Sequence, residues 1–190
     1  MPHRQLPAHT PPDPWRTLTS REVYTNPWIR VREDEVLRPD GSPGLYGVVS
    51  MTPAVGVVAL TAAEEVVMVG QWRYALGEYS WELVEGGVDD GEDPLTAIQR
   101  ELAEEAGYQA SSWAPLGPPL AVSNSVTDQR GQLFVARDLR AVPRAPEPTE
   151  DLLLAHLALD EALELIDRGQ ISDVLTILGL LAYDRARRAG

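Results

Sequence analysis

The sequence predicts an α/β fold, a mixed sheet covered by helices and preceded by a small β-hairpin domain. Three features predict it. Short Val-rich runs of strand length recur between residues 54 and 135. One well-bounded amphipathic helix interrupts them between Asp93 and Gly107. Ahead of them, residues 21–50 alternate apolar and polar side chains around the turn Pro39-Asp40-Gly41. Strands and helices mixed in this order indicate a sheet with helices on its faces.

The elements follow in chain order. Residues 1–14 carry Pro2, Pro7, Pro11, Pro12 and Pro14 and read as a disordered or loosely packed tail. His3 and His9 lie there without further ligands nearby, which argues against a zinc site. Residues 21–24 and 28–37 read as strands, and 45–50 as the return strand. So few strands are marginal alone in water, so this domain, 15–50, must pack on something. A larger domain, 51–190, follows. Residues 54–60 and 65–71 read as paired strands, and 80–84 as a third that feeds the glycine turn. Beyond the helix, 115–122 and 132–135 complete the sheet, 145–150 is a loop, and 152–157 is a last strand. His156 is thus a strand residue rather than a catalyst. Asp160 caps a short helix that Gly169 ends. Ser172 or Asp173 starts a final helix, with Val174, Ile177, Leu178 and Leu181 along its inner face.

The helix after the glycine turn carries the chemistry. Asp93 can cap it, Pro94 suits its first position, and Gly107 supplies a left-handed stop after about three and a half turns. Leu95, Ile98 and Leu102 form an apolar stripe that anchors it on a core. Glu101 and Glu105 then share one edge, with Glu104 beside them, because residues four apart stand about 5–6 Å apart at Cβ. Such carboxylates repel by about 1 kcal/mol per pair at 4 Å in water. A solvated acidic face would tolerate that. A hard divalent cation would offset it.

The surrounding spacing decides between these. Gly86, Glu92 and Arg100-Glu101-Leu102-Ala103-Glu104-Glu105-Ala106-Gly107 fill the polar and glycine positions of a pattern that resembles the Nudix box, with Tyr108 where an aliphatic residue is more usual. The resemblance implies an α/β/α sandwich and Mg2+- or Mn2+-dependent hydrolysis of a nucleoside diphosphate linked to another group. It further implies that Glu101 and Glu105 are the main metal ligands, that Glu104 assists, and that the backbone carbonyl of Glu85 is another ligand. Arg100 would neutralise and orient the glutamates, and Glu92 would brace the helix.

Outside the box, Gln71-Trp72-Arg73-Tyr74 and Trp81-Glu82 resemble the region of ADP-ribose pyrophosphatases that contacts phosphates and nucleoside. Arg73 suits bidentate phosphate binding, against a surface arginine ending a strand. Glu82, in an apolar strand, needs a partner, either substrate or Arg73. The N-terminal stretch resembles the domain that the ADP-ribose and nucleotide-sugar branch exchanges across a homodimer. By that resemblance Trp28 stacks on a purine, against a core aromatic. The loop Ser123 to Arg130 departs from the branch: Asn124 replaces a proline, which weighs against strict ADP-ribose specificity, and Gln129 stands where relatives place a glutamate. Gln129 cannot act as a base. Asp128 could replace it, or a box glutamate such as Glu104 could serve.

Composition is compatible with this. A formal charge of −13 argues against nucleic acid as a partner. The absence of cysteine excludes disulfides and fits a reducing cytoplasm. Neither a membrane-length apolar run nor a signal-like start is present in the sequence. The expected protein is a homodimeric hydrolase of nucleoside diphosphate sugars, with ADP-ribose and GDP-mannose as leading substrates. The alternatives are a hydrolase of dinucleoside polyphosphates or oxidised nucleotides, and a nucleotide-sugar-binding scaffold without turnover.

Overall fold

The computed structural model describes residues 11–146 and 151–189. His3, His9, most of the expected tail and part of the 145–150 loop fall outside the described residues; residues 11–14 are exposed and without regular structure. The described chain divides into two compact units, one reaching Met51 and including 126–128, the other holding 52–125 and 129–189.

The first unit is a three-stranded antiparallel meander of β1 (Arg16–Thr25), β2 (Ile29–Leu37) and β3 (Pro43–Met51). The first strand is longer than its sequence suggested, because register shifts after Thr17 and Glu22 let it stay paired with β2. Every residue of β1 is exposed, and Val36 and Asp34 are the buried side chains of the unit. Asp34 accepts hydrogen bonds from Ser20 and from Arg32, and the Ser20 bond, ahead of Arg32, holds its carboxyl below the usual aspartate value.

The second unit is an α/β/α sandwich. A mixed sheet has the order β7 (Val84–Gly87), β4 (Ala54–Ala59), β10 (Arg130–Ala141), β8 (Tyr108–Pro115), with the short β9 (Leu120–Ala121) also on β10. The β10–β4 pair is parallel and its neighbours are antiparallel. A second sheet runs β11 (Leu153–Ala158), β5 (Glu65–Arg73), β6 (Glu78–Glu82). Side chains of the central strands divide between two cores. Val55, Val57, Val67 and Val69 join Ile98, Leu102 and Phe134. Val58, Leu60, Val66 and Met68 join Leu83, Leu159, Ile171 and Leu180. Burial on both faces is why these strands read as continuous apolar runs.

Helix α1 (Pro94–Glu101) lies against the first core. Asp93 caps it through the Leu95 and Thr96 amides, as expected. Its continuation differs: Leu102–Ala106 is a π-helical turn, ended by Gly107 at φ 72°. The wider turn is held from outside, since Ala145 N–H donates to the Glu104 carbonyl and Arg144 Nε to the Glu105 carbonyl.

Three sequence expectations are corrected. The strand placed at 115–122 lies instead at Tyr108–Pro115; its small polar residues and half-exposed faces lack an apolar alternation. Asp160 sits in the first turn of α2 (Leu159–Asp167), where it makes no capping bond. The final helix, α3 (Val174–Ala189), buries Leu175, Thr176, Gly179, Leu180 and Tyr183, while Val174, Leu178 and Leu181 are exposed. Gly179 explains the choice of face: a Cβ there would lie 2.7 Å from a Leu83 methyl, so this side of the helix fits the sheet closely. Asp173 does cap α3, accepting from the Thr176 amide at 2.8 Å.

Candidate active site

Arg100 is the hub of the box. Its Nη2 donates to the Gly87 carbonyl at 3.1 Å and to Glu92 at 3.1 Å, while Nε reaches the other Glu92 oxygen at 3.3 Å. Its Nη1 donates to Glu101 at 2.7 Å and to Glu104 at 3.3 Å. One planar fork thus ties loop, strand end and helix together, which suits arginine and not lysine. The same bonds, Glu92's foremost, raise the Arg100 pKa and lower that of Glu92. Glu92 also accepts from the Asp89 amide, closing the acidic loop on itself.

Glu101 lies on Gly86. A Cβ at that position would fall 2.2 Å from the Glu101 carboxyl carbon, so only glycine leaves the carboxylate its seat. Glu105, in the π-helical turn, is 3% exposed, whereas Glu104 is partly exposed. Glu92, Glu101, Glu104 and Glu105 carry more negative charge than Arg100 balances, and all are hard oxygen donors, which is the donor chemistry a divalent cation requires. Among the described residues, however, no group of three or more Asp, Glu, His or Cys side chains is gathered into a ready-made ion site. Glu101 and Glu104 converge on Arg100 instead.

A second cluster stands where β5, β6 and α3 meet. Glu82 is 2% exposed and is gripped by Arg73 in a bidentate pair, with Nε to Oε1 at 2.8 Å and Nη2 to Oε2; Gln71 approaches at 3.4 Å. The partner that Glu82 needs is therefore Arg73, and Arg73 is more than a surface arginine. The pair lines a cleft of about 520 Å³ together with Tyr74, Leu76, Ser80, Asp173 and Val174. Glu85 faces α3: it accepts from Thr176 Oγ1 at 2.9 Å. Burial first, then the neighbouring Asp173, pushes the Glu85 carboxyl well above the usual range.

The remaining expected residues are placed as follows. Gln129 donates through Nε2 to the Thr52 carbonyl at 2.9 Å. Asp128 belongs to the first unit, where Ser50 donates to it at 2.7 Å and Arg32 stands at 3.8 Å. Trp28, also in the first unit, is 75% exposed, which corrects its core alternative. Sequence reasoning missed Thr176, Arg144 and the Glu85 side chain. A glutamate beside the box glycine was a readable signal for the last of these, whereas Thr176 and Arg144 gave none.

Comparison with known proteins agrees with this geometry. A NUDIX domain model matches residues 51–174, and a model described as the nucleoside diphosphate sugar hydrolase N-terminal domain matches 15–49. The chain belongs to the Nudix family, and it is a Nudix hydrolase of the branch that carries this N-terminal domain. It is 33% identical over 171 residues to the ADP-ribose pyrophosphatase of Mycobacterium tuberculosis, covering 88% of this chain and 82% of that one. It is 31% identical over 167 residues to the methanol dehydrogenase activator of Bacillus methanolicus, covering 87% and 90%. A crystal structure of an ADP compounds hydrolase superposes with a TM-score of 0.83 over 95% of this chain and 98% of that one, at 19% identity, a likeness of fold.

Proposed function

We propose that this hydrolase cleaves the pyrophosphate of nucleoside diphosphate sugars, giving a nucleoside monophosphate and a sugar phosphate in a Mg2+-dependent reaction. The observation that carries the reading is the Glu101 carboxylate seated on Gly86 and oriented by the Arg100 hub, in a chain whose residues 15–49 match the sugar-hydrolase N-terminal domain. The relatives include pyrophosphatases named for ADP-ribose and ADP-sugars.

Glu101, Glu105, Glu104 and the Glu85 carbonyl would hold Mg2+, with Mn2+ as the substitute. Bound there, the ion would screen the pyrophosphate charge and make an attacking water more acidic. Arg100 gathers and orients Glu101 and Glu104 through its Nη1, and Glu92 fixes Arg100. Glu104 is the leading general base of this reading, because it lies in the box and its side chain is the most exposed of the helix glutamates, with Asp128 the alternative. Arg73, held by Glu82, presents a fixed guanidinium edge for phosphate, Trp28 offers an exposed indole for the base, and Gln129 shapes the loop beside Thr52. A homodimer is part of the proposal, because β1 is wholly exposed and carries Leu18, Val23 and Tyr24, with Trp15 just ahead of it, at 40–53% exposure. The substrate is the partner, not nucleic acid. Among the described residues no helix is long and apolar enough to cross a membrane, and the proposed location is the cytoplasm.

The direct test is Glu105→Gln, which keeps the buried volume and removes the charge. Turnover with Mg2+ should vanish while circular dichroism and the thermal midpoint stay close to the parent. Near-full activity would remove Glu105 from the metal set.

A further inference from the structure

We propose that Thr176, on α3 and far from the box in sequence, is a positioning residue for the hydrolytic step. The inference rests on the reading of the chain as a nucleotide-sugar hydrolase. Its basis is a change of sheet within one strand segment. Up to Glu82 the chain pairs with β5, with Glu82 opposite Val69. From Val84 it pairs with β4, in the other sheet, with Val84 opposite Val57. Leu83 is the residue at the crossing, and it is 0% exposed. Its amide therefore needs a partner that neither ladder provides.

Thr176 is that partner. Its Oγ1 accepts from Leu83 N at 2.9 Å and donates to Glu85 Oε1 at 2.9 Å, so one hydroxyl clasps the crossing from both sides. The residue is 0% exposed, and the Asp173 cap fixes its backbone in the first turn of α3. On one side of the clasp lies Glu82 with Arg73. On the other lie the Glu85 carbonyl and Gly86, the seat of Glu101. Arg73, Gln71 and Glu82 hold one another without the hydroxyl. On the β7 side the Arg100 bond holds the far end at Gly87, while the Glu85 side chain meets α3 through this hydroxyl, so losing it loosens the seat of Glu101 more than the Arg73–Glu82 pair. A shift on the order of 1 Å at a reacting centre can cost about 100-fold in rate.

The test compares Thr176→Val, which keeps the shape and removes the hydroxyl, with Thr176→Ser, which keeps the hydroxyl. Steady-state rates on a nucleoside diphosphate sugar should show kcat reduced at least about tenfold in Thr176→Val, with KM changed less than about threefold. Thr176→Ser should recover most of kcat. Parent-level kcat in a folded Thr176→Val, a loss carried by KM alone, or equal impairment of Thr176→Ser would each overturn the proposal. If Thr176→Val does not fold, Thr176→Ser against Thr176→Cys replaces it, two side chains of nearly one shape that differ in hydrogen-bonding strength. A clear deficit in the thiol variant supports the clasp, and equal kcat overturns it. A parent enzyme that hydrolyses no nucleotide sugar would instead sink the functional reading, an outcome distinct from these.

Discussion

Gly86 shows how one backbone position can set the seat of a carboxylate proposed to hold the metal. Adding a methyl there places it 2.2 Å from the Glu101 carboxyl, and the carboxylate must swing off the strand while the fold has room to survive. Gly86→Ala should therefore lower kcat by about 100-fold with little change in the thermal midpoint. A loss of activity matched by a loss of folded protein would show that Gly86 serves the fold instead. Asp34 gives a test at the same scale in the first unit. Its folded pKa is lowered, so its stabilising bonds from Ser20 and Arg32 are present above the unfolded aspartate value, about 3.9, and fade as pH falls through the lowered one. Thermal melts from pH 6 to pH 3 should show the parent losing its advantage over Asp34→Asn as acid is added. A gap independent of pH would contradict this assignment.

At the scale of elements, the box helix is two structures joined. Its α-helical part was legible, because Asp93, Pro94 and the Leu95/Ile98/Leu102 stripe are local signals that the packed helix obeys. The π-helical turn that carries Glu104 and Glu105 was not, since it depends on donors brought from Arg144 and Ala145 in a distant loop. Gly107 closes that turn with a left-handed backbone, and a Cβ there would also meet the Arg144 side chain at 2.6 Å. Gly107→Ala should cost about 1–2 kcal/mol from the backbone alone, measurable by denaturant unfolding. An unchanged midpoint would show that the turn relaxes freely. The face of α3 was misread for a related reason. Its apolar residues at Val174, Leu178 and Leu181 suggested a buried stripe, yet Thr176 and Gly179 occupy the buried side. A polar residue goes inward where a strand crossing offers it an amide and a carboxylate, and no single-sequence pattern announces that.

At the scale of the molecule, the spacing of glycine, acidic and basic residues over the box named the family because each position meets a separate physical demand. Gly86 makes room, Arg100 connects, and the glutamates supply oxygen. Substrate choice was less legible, because the residues proposed to set it, Trp28, Arg73 and the Ser123 to Arg130 loop, would act through their placement rather than through a fixed spacing. The exposed β1 predicts an association of two chains. Light scattering at micromolar concentration should report twice the mass of a 20.8 kDa chain, and a monomer would remove the exchanged-domain arrangement.

The proposed activity is hydrolysis of the pyrophosphate in nucleotide sugars, with a range broader than ADP-ribose expected from Asn124 and Gln129, which depart from the pattern that the resemblance to the branch implies. One product-resolved assay with Mg2+ tests it: ADP-ribose, GDP-mannose, ADP-glucose and diadenosine polyphosphates offered in parallel. A nucleoside monophosphate and a sugar phosphate are expected from more than one of the sugar nucleotides. Turnover confined to ADP-ribose would contradict the reading of the loop, and turnover confined to the diadenosine compounds would contradict the function itself.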